Sequence, residues 1–335
     1  MRRALGHIRP SAVLVMETEL WPRFFRECRR RGTPVALVNG RISEKSFGRY
    51  RLVRFFIRRV LADLTLAVMQ TEEDAARIRE LGVEPGRVRV AGNVKFDAEG
   101  AGEMPLTAEL RERFGLGGDR PLVLAASTHA PEERAVLEAF KQLKGQEGAR
   151  LLLAPRHPER FAEVASLLEA SGLRWARRSS EPLESDKTRD VILLDSIGEL
   201  RAAYPLAEVV FVGGSVAPVG GHNVLEPAQA ARCVVTGAHT SNFTSVVGAM
   251  AERGALVQLP ALSEEEAPAA LADALGELLA DPEARRRMGE RALAVLAENR
   301  GATARTIEML KPILQSRPGP EGRGPLKDSL LTSDL

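Results

Sequence analysis

The sequence predicts an α/β protein built from two Rossmann-like domains. Short apolar runs at 12–16, 34–38, 64–69, 88–91, 122–126, 151–154, 191–194, 209–212 and 233–236 alternate with longer segments of helical periodicity. Several are continuously hydrophobic rather than alternating, as strands of a parallel sheet covered on both faces must be. Residues 98–106, rich in Gly, Ala, Glu and Pro and without period, divide the runs into two series, and 335 residues is long for a single core. The expected organisation is therefore a first domain at 1–97, a linker at 98–106, and a second domain at 107–315 that includes closing helices from about 264. The Pro-, Gly- and Ser-rich stretch 316–335 reads as a disordered tail.

In the first domain, the run 12–16 ends in Glu17-Thr18-Glu19-Leu20-Trp21-Pro22. A carboxylate beyond the carboxyl end of a parallel strand faces the crevice where such sheets hold ligands, which makes Glu17 a candidate site residue. Pro22 suits the first turn of a helix reaching about Arg31. The second strand ends in Asn39-Gly40-Arg41, and a basic amphipathic segment follows at 46–61. After the strand at 64–69, Thr71 reads as an N-cap with Glu72, Glu73 and Asp74 in the first turn. The fourth strand leads to Gly92-Asn93-Val94-Lys95-Phe96-Asp97, where the Lys95 ammonium is placed to neutralise developing negative charge.

The second domain opens with the strand 122–126 and its loop Ser127-Thr128-His129, followed by a helix with acids at Glu132 and Glu133. The strand 151–154 ends in Pro155-Arg156-His157, and the strand 191–194 in Asp195-Ser196-Ile197-Gly198-Glu199. The strand 209–212 runs into Gly213-Gly214-Ser215-Val216-Ala217-Pro218-Val219-Gly220-Gly221-His222-Asn223-Val224-Leu225-Glu226-Pro227. Its glycines let backbone amides approach an anion, a helix N-terminus follows, and Glu226 is placed to accept hydrogen bonds from ribose hydroxyls. Arg156 is the expected phosphate ligand because guanidinium binds phosphate oxygens bidentately and stays charged. Ser196 is expected to cap a helix whose first amides enter the cleft, while Ser127, His129, His157, Ser215 and Gly221 are further candidates around the phosphate. Such loops at successive strand ends are what a nucleotide-binding sheet presents.

Composition narrows the function classes. Residues 1–61 carry 15 Lys+Arg against 4 Asp+Glu, a charge of +11, so with an overall charge of +2 the remaining 274 residues carry −9. The basic segment also holds Phe24, Phe25, Phe47, Phe55 and Phe56, a surface suited to phospholipid headgroups or a phosphorylated glycolipid. Nucleic acid is not expected, because no reader motif is present and the rest of the chain is acidic. Cys28 and Cys233 read as reduced thiols, and no apolar run approaches the roughly 20 residues that cross a bilayer. The five histidines show no ligand spacing, so neither a metal nor any other cofactor is expected; Walker and nucleophile-elbow motifs are also missing.

The motifs at Met16–Pro22, Gly92–Asp97, Ala126–His129, Ala154–Arg160, Gly213–Ser215 and Gly220–Glu226, in this order along the chain, resemble those of the 3-deoxy-D-manno-octulosonic acid (Kdo) transferases. The resemblance implies a GT-B glycosyltransferase that moves Kdo from CMP-Kdo to the lipid A precursor (lipid IVA) in lipopolysaccharide biosynthesis. It implies a peripheral enzyme at the anionic cytoplasmic face of the inner membrane, working without a metal. It assigns CMP binding to Pro155, Arg156, Ile197, Gly198, Glu199, Asn223, Val224, Leu225 and Glu226, and transition-state stabilisation to Glu17 and Lys95.

Relatives also carry, upstream of the Glu17 motif, a membrane-anchoring segment, further strands and a glutamate serving as general base. The expectation is thus an incomplete first domain, entered midway, in an N-terminally truncated chain without that base. Two alternatives stay open on the residues alone: a non-catalytic nucleotide-binding module, and another sugar-nucleotide transferase or epimerase of the same fold.

Overall fold

The computed structural model describes residues 2–97 and 104–315, with the side chains of 144–147 left aside. The expected tail at 316–335 and most of the expected linker lie outside the described residues. A helix begins at Pro105, inside the stretch expected to be linker. The chain forms two units, one of 1–97 with 299–335 and the other of 98–298.

The first unit holds a parallel sheet in sequential order: β1 (Val13–Met16), β2 (Val35–Gly40), β3 (Leu66–Met69) and β4 (Val88–Val90). Right-handed crossovers between successive neighbours place the connecting helices on one face of such a sheet. Val35, Leu37, Ala67 and Met69 accordingly pack with Phe25 and Cys28 of helix Pro22–Arg30, Ile57 and Val60 of helix Arg54–Leu61, and Ile78 of helix Glu72–Glu80. Thr71 caps that last helix as expected, accepting from the Asp74 amide. The basic amphipathic segment forms two helices rather than one, Glu44–Leu52 and Arg54–Leu61, interrupted at Val53.

The alternate face, Ala36, Val38, Leu66 and Val68, still needs cover. Helix Ala302–Gln315 supplies it through Met309, Leu310 and Ile313. This corrects the expected second domain at 107–315: the last closing helix belongs to the first unit, because that sheet would otherwise expose an apolar face. Asp97 fixes the start of this helix by accepting from the amides of Gly301, at 2.6 Å, and Thr303. Leu310→Ala is expected to destabilise the first unit by ~2–3 kcal/mol, read as a lower denaturant midpoint.

The second unit contains β5 (Leu122–Thr128), β6 (Arg150–Pro155), β7 (Trp175–Arg177), β8 (Val191–Leu193), β9 (Val209–Val212), β10 (Cys233–Thr236) and β11 (Val257–Gln258). All pair in parallel, in the order β11-β10-β9-β5-β6-β8-β7. The chain builds outward from β5 in one direction, then returns to β5's other side with β9. That reversal is a topological switch point, where open α/β sheets hold ligands beyond the strands' carboxyl ends. Helices Glu132–Glu147, Phe161–Ala170 and Ala267–Ala280 cover one face with Phe140, Leu143, Val164, Leu168, Leu271 and Leu275.

Candidate functional site

Each unit carries a cluster at the carboxyl ends of its strands. In the first, Glu17 directly follows β1 in the left-handed region, at φ 55°. Its amide donates to Val38 O at 2.9 Å, so the sheet itself holds this residue. A side chain in that conformation costs energy, and persists where surrounding structure imposes it. Lys95, in the short 3-10 turn Val94–Asp97 after β4, brings Nζ to 2.9 Å from Glu17 Oε1, and Arg41, after β2, places Nε 3.6 Å from Oε2. The two residues expected separately from sequence are thus one ion pair. Arg41 was not singled out, although its position just beyond a strand's carboxyl end was the same signal that marked Glu17 and Lys95. Asn39 supports the cluster: it is buried at φ 53°, and its Oδ1 accepts from the Val94 amide at 3.1 Å.

In the second unit, Ser127, Pro155, Arg156, His157, Ile197 and Gly198 converge on a cavity of about 360 Å³ beyond β5, β6 and β8. That size is within the range of small-molecule sites. Ile197 is 80% exposed, an apolar surface at the cavity edge. Gly198 takes φ 85°, a conformation other residues adopt only with strain. Arg160 is locked by Glu133 at 2.6 Å and Glu163 at 2.9 Å, whereas Arg156 is exposed and has no ion pair with a described carboxylate. Arg156 is therefore the cation available to a ligand.

Glu199 accepts from Arg178 Nε at 2.7 Å and from Ser196 Oγ at 2.9 Å. Burial pushes its carboxyl up, but the hydrogen bonds from Arg178 and Ser196 and the Arg178 charge hold it below the ordinary value. Ser196 does not cap the following helix, as expected from sequence, because its hydroxyl is turned to Glu199. Asn223 Nδ2 donates to Glu226 Oε1 at 3.1 Å, and its Oδ1 accepts from the Leu225 amide. Tyr204 also hydrogen-bonds to Glu226, and burial first, then the Glu226 charge, raises the phenol's pKa. Val224 and Leu225 are buried, so their side chains serve packing.

The glycine-rich loop corrects the sequence reading most. The amides expected to face a ligand anion point at the protein's own Glu132. Its Oε2 accepts from Gly214 N at 2.7 Å and His129 N at 3.0 Å. Oε1 accepts from Ser215 and Val216 at 2.9 Å and from Ala217 at 3.0 Å. Gly213 is required here, since a Cβ would lie 2.7 Å from Glu132 Oε2 and 2.8 Å from Ser127 O. Ser215, a candidate ligand from sequence, is buried with its hydroxyl donating to Val212 O and accepting from Gly237 N. Gly221 is likewise internal, its amide donating to Gly214 O.

Three histidines border this arrangement. His129 and His222 face each other Nε2 to Nε2 at 2.7 Å with rings stacked, and His157 meets the His129 ring edge-on at 5.0 Å. Burial, then repulsion from His129, Arg156 and His157, pushes His222 down to about 4. Burial also lowers His129, against the attraction of Glu132. A folded pKa below the unfolded one means the unfolded state binds the proton first, so this contribution to stability is complete above about pH 6.5 and is lost as pH falls towards 4. His222→Gln is expected to flatten the fall in melting temperature between those values, measured by calorimetric scans.

Residues 1–98 match the family model of the 3-deoxy-D-manno-octulosonic-acid transferase (kdotransferase) N-terminal region. The chain is 35% identical over 317 residues to the 3-deoxy-D-manno-octulosonic acid transferase of Haemophilus influenzae, covering 94% of this chain and 72% of that protein. The Bordetella pertussis transferase is 38% identical over 316 residues, 92% of this chain and 71% of that one. The chain belongs to the 3-deoxy-D-manno-octulosonic acid transferase family. Among solved structures, the C-terminal CMP-Kdo binding domain of WaaA from Acinetobacter baumannii is 36% identical, with a TM-score of 0.51, covering 57% of this chain and 95% of that domain. A glycosyltransferase from Rickettsia africae, at 13% identity and TM-score 0.60, shares the fold over 94% of this Kdo transferase chain and 80% of its own.

Proposed function

We propose that this glycosyltransferase takes Kdo from CMP-Kdo and transfers it to the lipid A precursor in lipopolysaccharide biosynthesis. The observation that carries the reading is the cavity lined by Pro155, Arg156, Ile197 and Gly198, with an available guanidinium beside it. Arg156 binds the donor phosphate and neutralises it as CMP leaves. The Gly198 backbone and the Ile197 side chain meet the base, and Glu226, oriented by Asn223 and Tyr204, accepts from the ribose. Loss of CMP leaves positive charge on the sugar. The Glu17 carboxylate stabilises that charge, and Lys95 holds Glu17 in place and attracts the sugar's carboxylate. None of these roles calls on a metal.

The acceptor reading is supported by the first unit's surface. A groove of about 790 Å³ is lined by Trp21, Arg23, Arg26, Phe56 and Arg59, and Leu52, Phe55 and Phe56 project nearby into solvent. Cations beside exposed aromatics suit a phosphorylated, acylated acceptor at the anionic cytoplasmic face of the inner membrane. No described helix is long and apolar enough to cross a membrane.

The test is acceptor-dependent release of CMP from CMP-Kdo, with the acceptor in anionic vesicles. Release that rises with acceptor, and falls when Arg26 and Arg59 are replaced by Gln, is the expected result. Release indifferent to the acceptor contradicts it.

A further inference from the structure

We infer that Glu132 is a positioning residue of the donor site: its carboxylate stands in for a bound anion in the glycine cradle, fixes the loops after β5 and β9 against each other, and so sets where the donor phosphate sits. The inference rests on the donor-site reading above and extends it to a residue that touches no ligand.

Glu132 is the first residue of its helix, where an acid is ordinarily explained by the helix dipole. Its partners rule out that explanation as sufficient. Four of the five amides it accepts belong to residues 82 to 85 positions away, on the loop after β9. The fifth is His129, on the loop after β5. These are the two strands that flank the switch point, the place where such a sheet offers amides to a ligand. The side chain is fully buried, and Gly213 leaves it the space it occupies.

Two consequences follow from this geometry. The loop's amides are engaged, so the donor phosphate is bound from the side of Arg156 and the histidines. The loop's path through Gly214 also sets His222 against His129, since a Cβ on Gly214 would lie 2.8 Å from the His222 ring. Glutamine in place of Glu132 would turn an amide group, itself a donor, towards amide donors. Alanine would leave the cradle empty and open to a small carboxylate.

The experiment measures CMP binding by calorimetry for the wild type, Glu132→Gln and Glu132→Ala, below the unfolding temperature of each. The wild type binds CMP, and Glu132→Gln is expected to lose at least about tenfold in affinity. Glu132→Ala is expected to bind weakly and to recover with added formate but not with formamide, its neutral analogue. A role in packing alone would not produce that selectivity. Unchanged affinity in Glu132→Gln overturns the inference and leaves the donor reading standing. A folded Glu132→Ala that formate does not restore also overturns it. If Glu132→Ala does not fold, Glu132→Gln decides. A wild type without CMP affinity defeats the donor reading and this inference with it.

Discussion

Arg156→Ala is expected to weaken CMP binding by about 10- to 100-fold, the scale of a charge-assisted hydrogen bond to phosphate. The size follows from availability. Arg160, close by in sequence, is held by two carboxylates, while the exposed Arg156 guanidinium on the cavity wall has no ion pair with a described carboxylate. Arg156→Lys is expected to recover only part of the affinity, because a point charge cannot reproduce a two-pronged contact. Calorimetry with CMP measures both variants, and cytidine, which lacks the phosphate, is expected to bind Arg156→Ala and the wild type equally.

Glu17→Gly is expected to reduce Kdo transfer by at least about 10²-fold while leaving the protein as stable or up to ~1 kcal/mol more stable. At φ 55° the residue sits where glycine is at ease and glutamate is not. Its ion pair with Lys95 joins side chains that each keep about three-tenths of their exposure, so losing it costs little stability. A residue that strains the backbone and adds little to stability is retained for the chemistry of its side chain. Turnover of CMP-Kdo and thermal unfolding, measured on the same preparation, check the two halves. A glycine variant that keeps transfer removes Glu17 from the mechanism.

The strands were legible because a parallel strand covered on both faces is a continuous apolar run, a signal that needs no partner to be read. The run at 209–212 is β9, and 233–236 is β10. β7 and β11 were not legible: they are the two edge strands, only partly covered, and Trp175-Ala176-Arg177 and Val257-Gln258 form no continuous apolar run. Helix Ala302–Gln315 shows why domain membership is harder to read than helicity. Its periodicity says that one face is buried, but which sheet covers that face depends on Ala36, Val38, Leu66 and Val68, far away in sequence.

The same distinction runs through the site. Glu17 and Lys95 were each legible from their place after a strand, yet their pairing required the sheet order. The glycine loop was legible as a cradle for negative charge. What fills it was not, because Glu132 lies 82 residues or more from the loop amides it accepts, and a glutamate at a helix start already has a local explanation in the helix dipole. Ser196 failed for a similar reason: the sequence offers it as a cap, and the structure gives it Glu199 instead.

Calorimetric titration of the whole chain with CMP, UMP and UDP decides whether the second unit holds a cytidine monophosphate donor. CMP is expected to bind most tightly, with the preference over UMP set by the base alone. Tighter binding of UDP, or equal binding of all three, would contradict it.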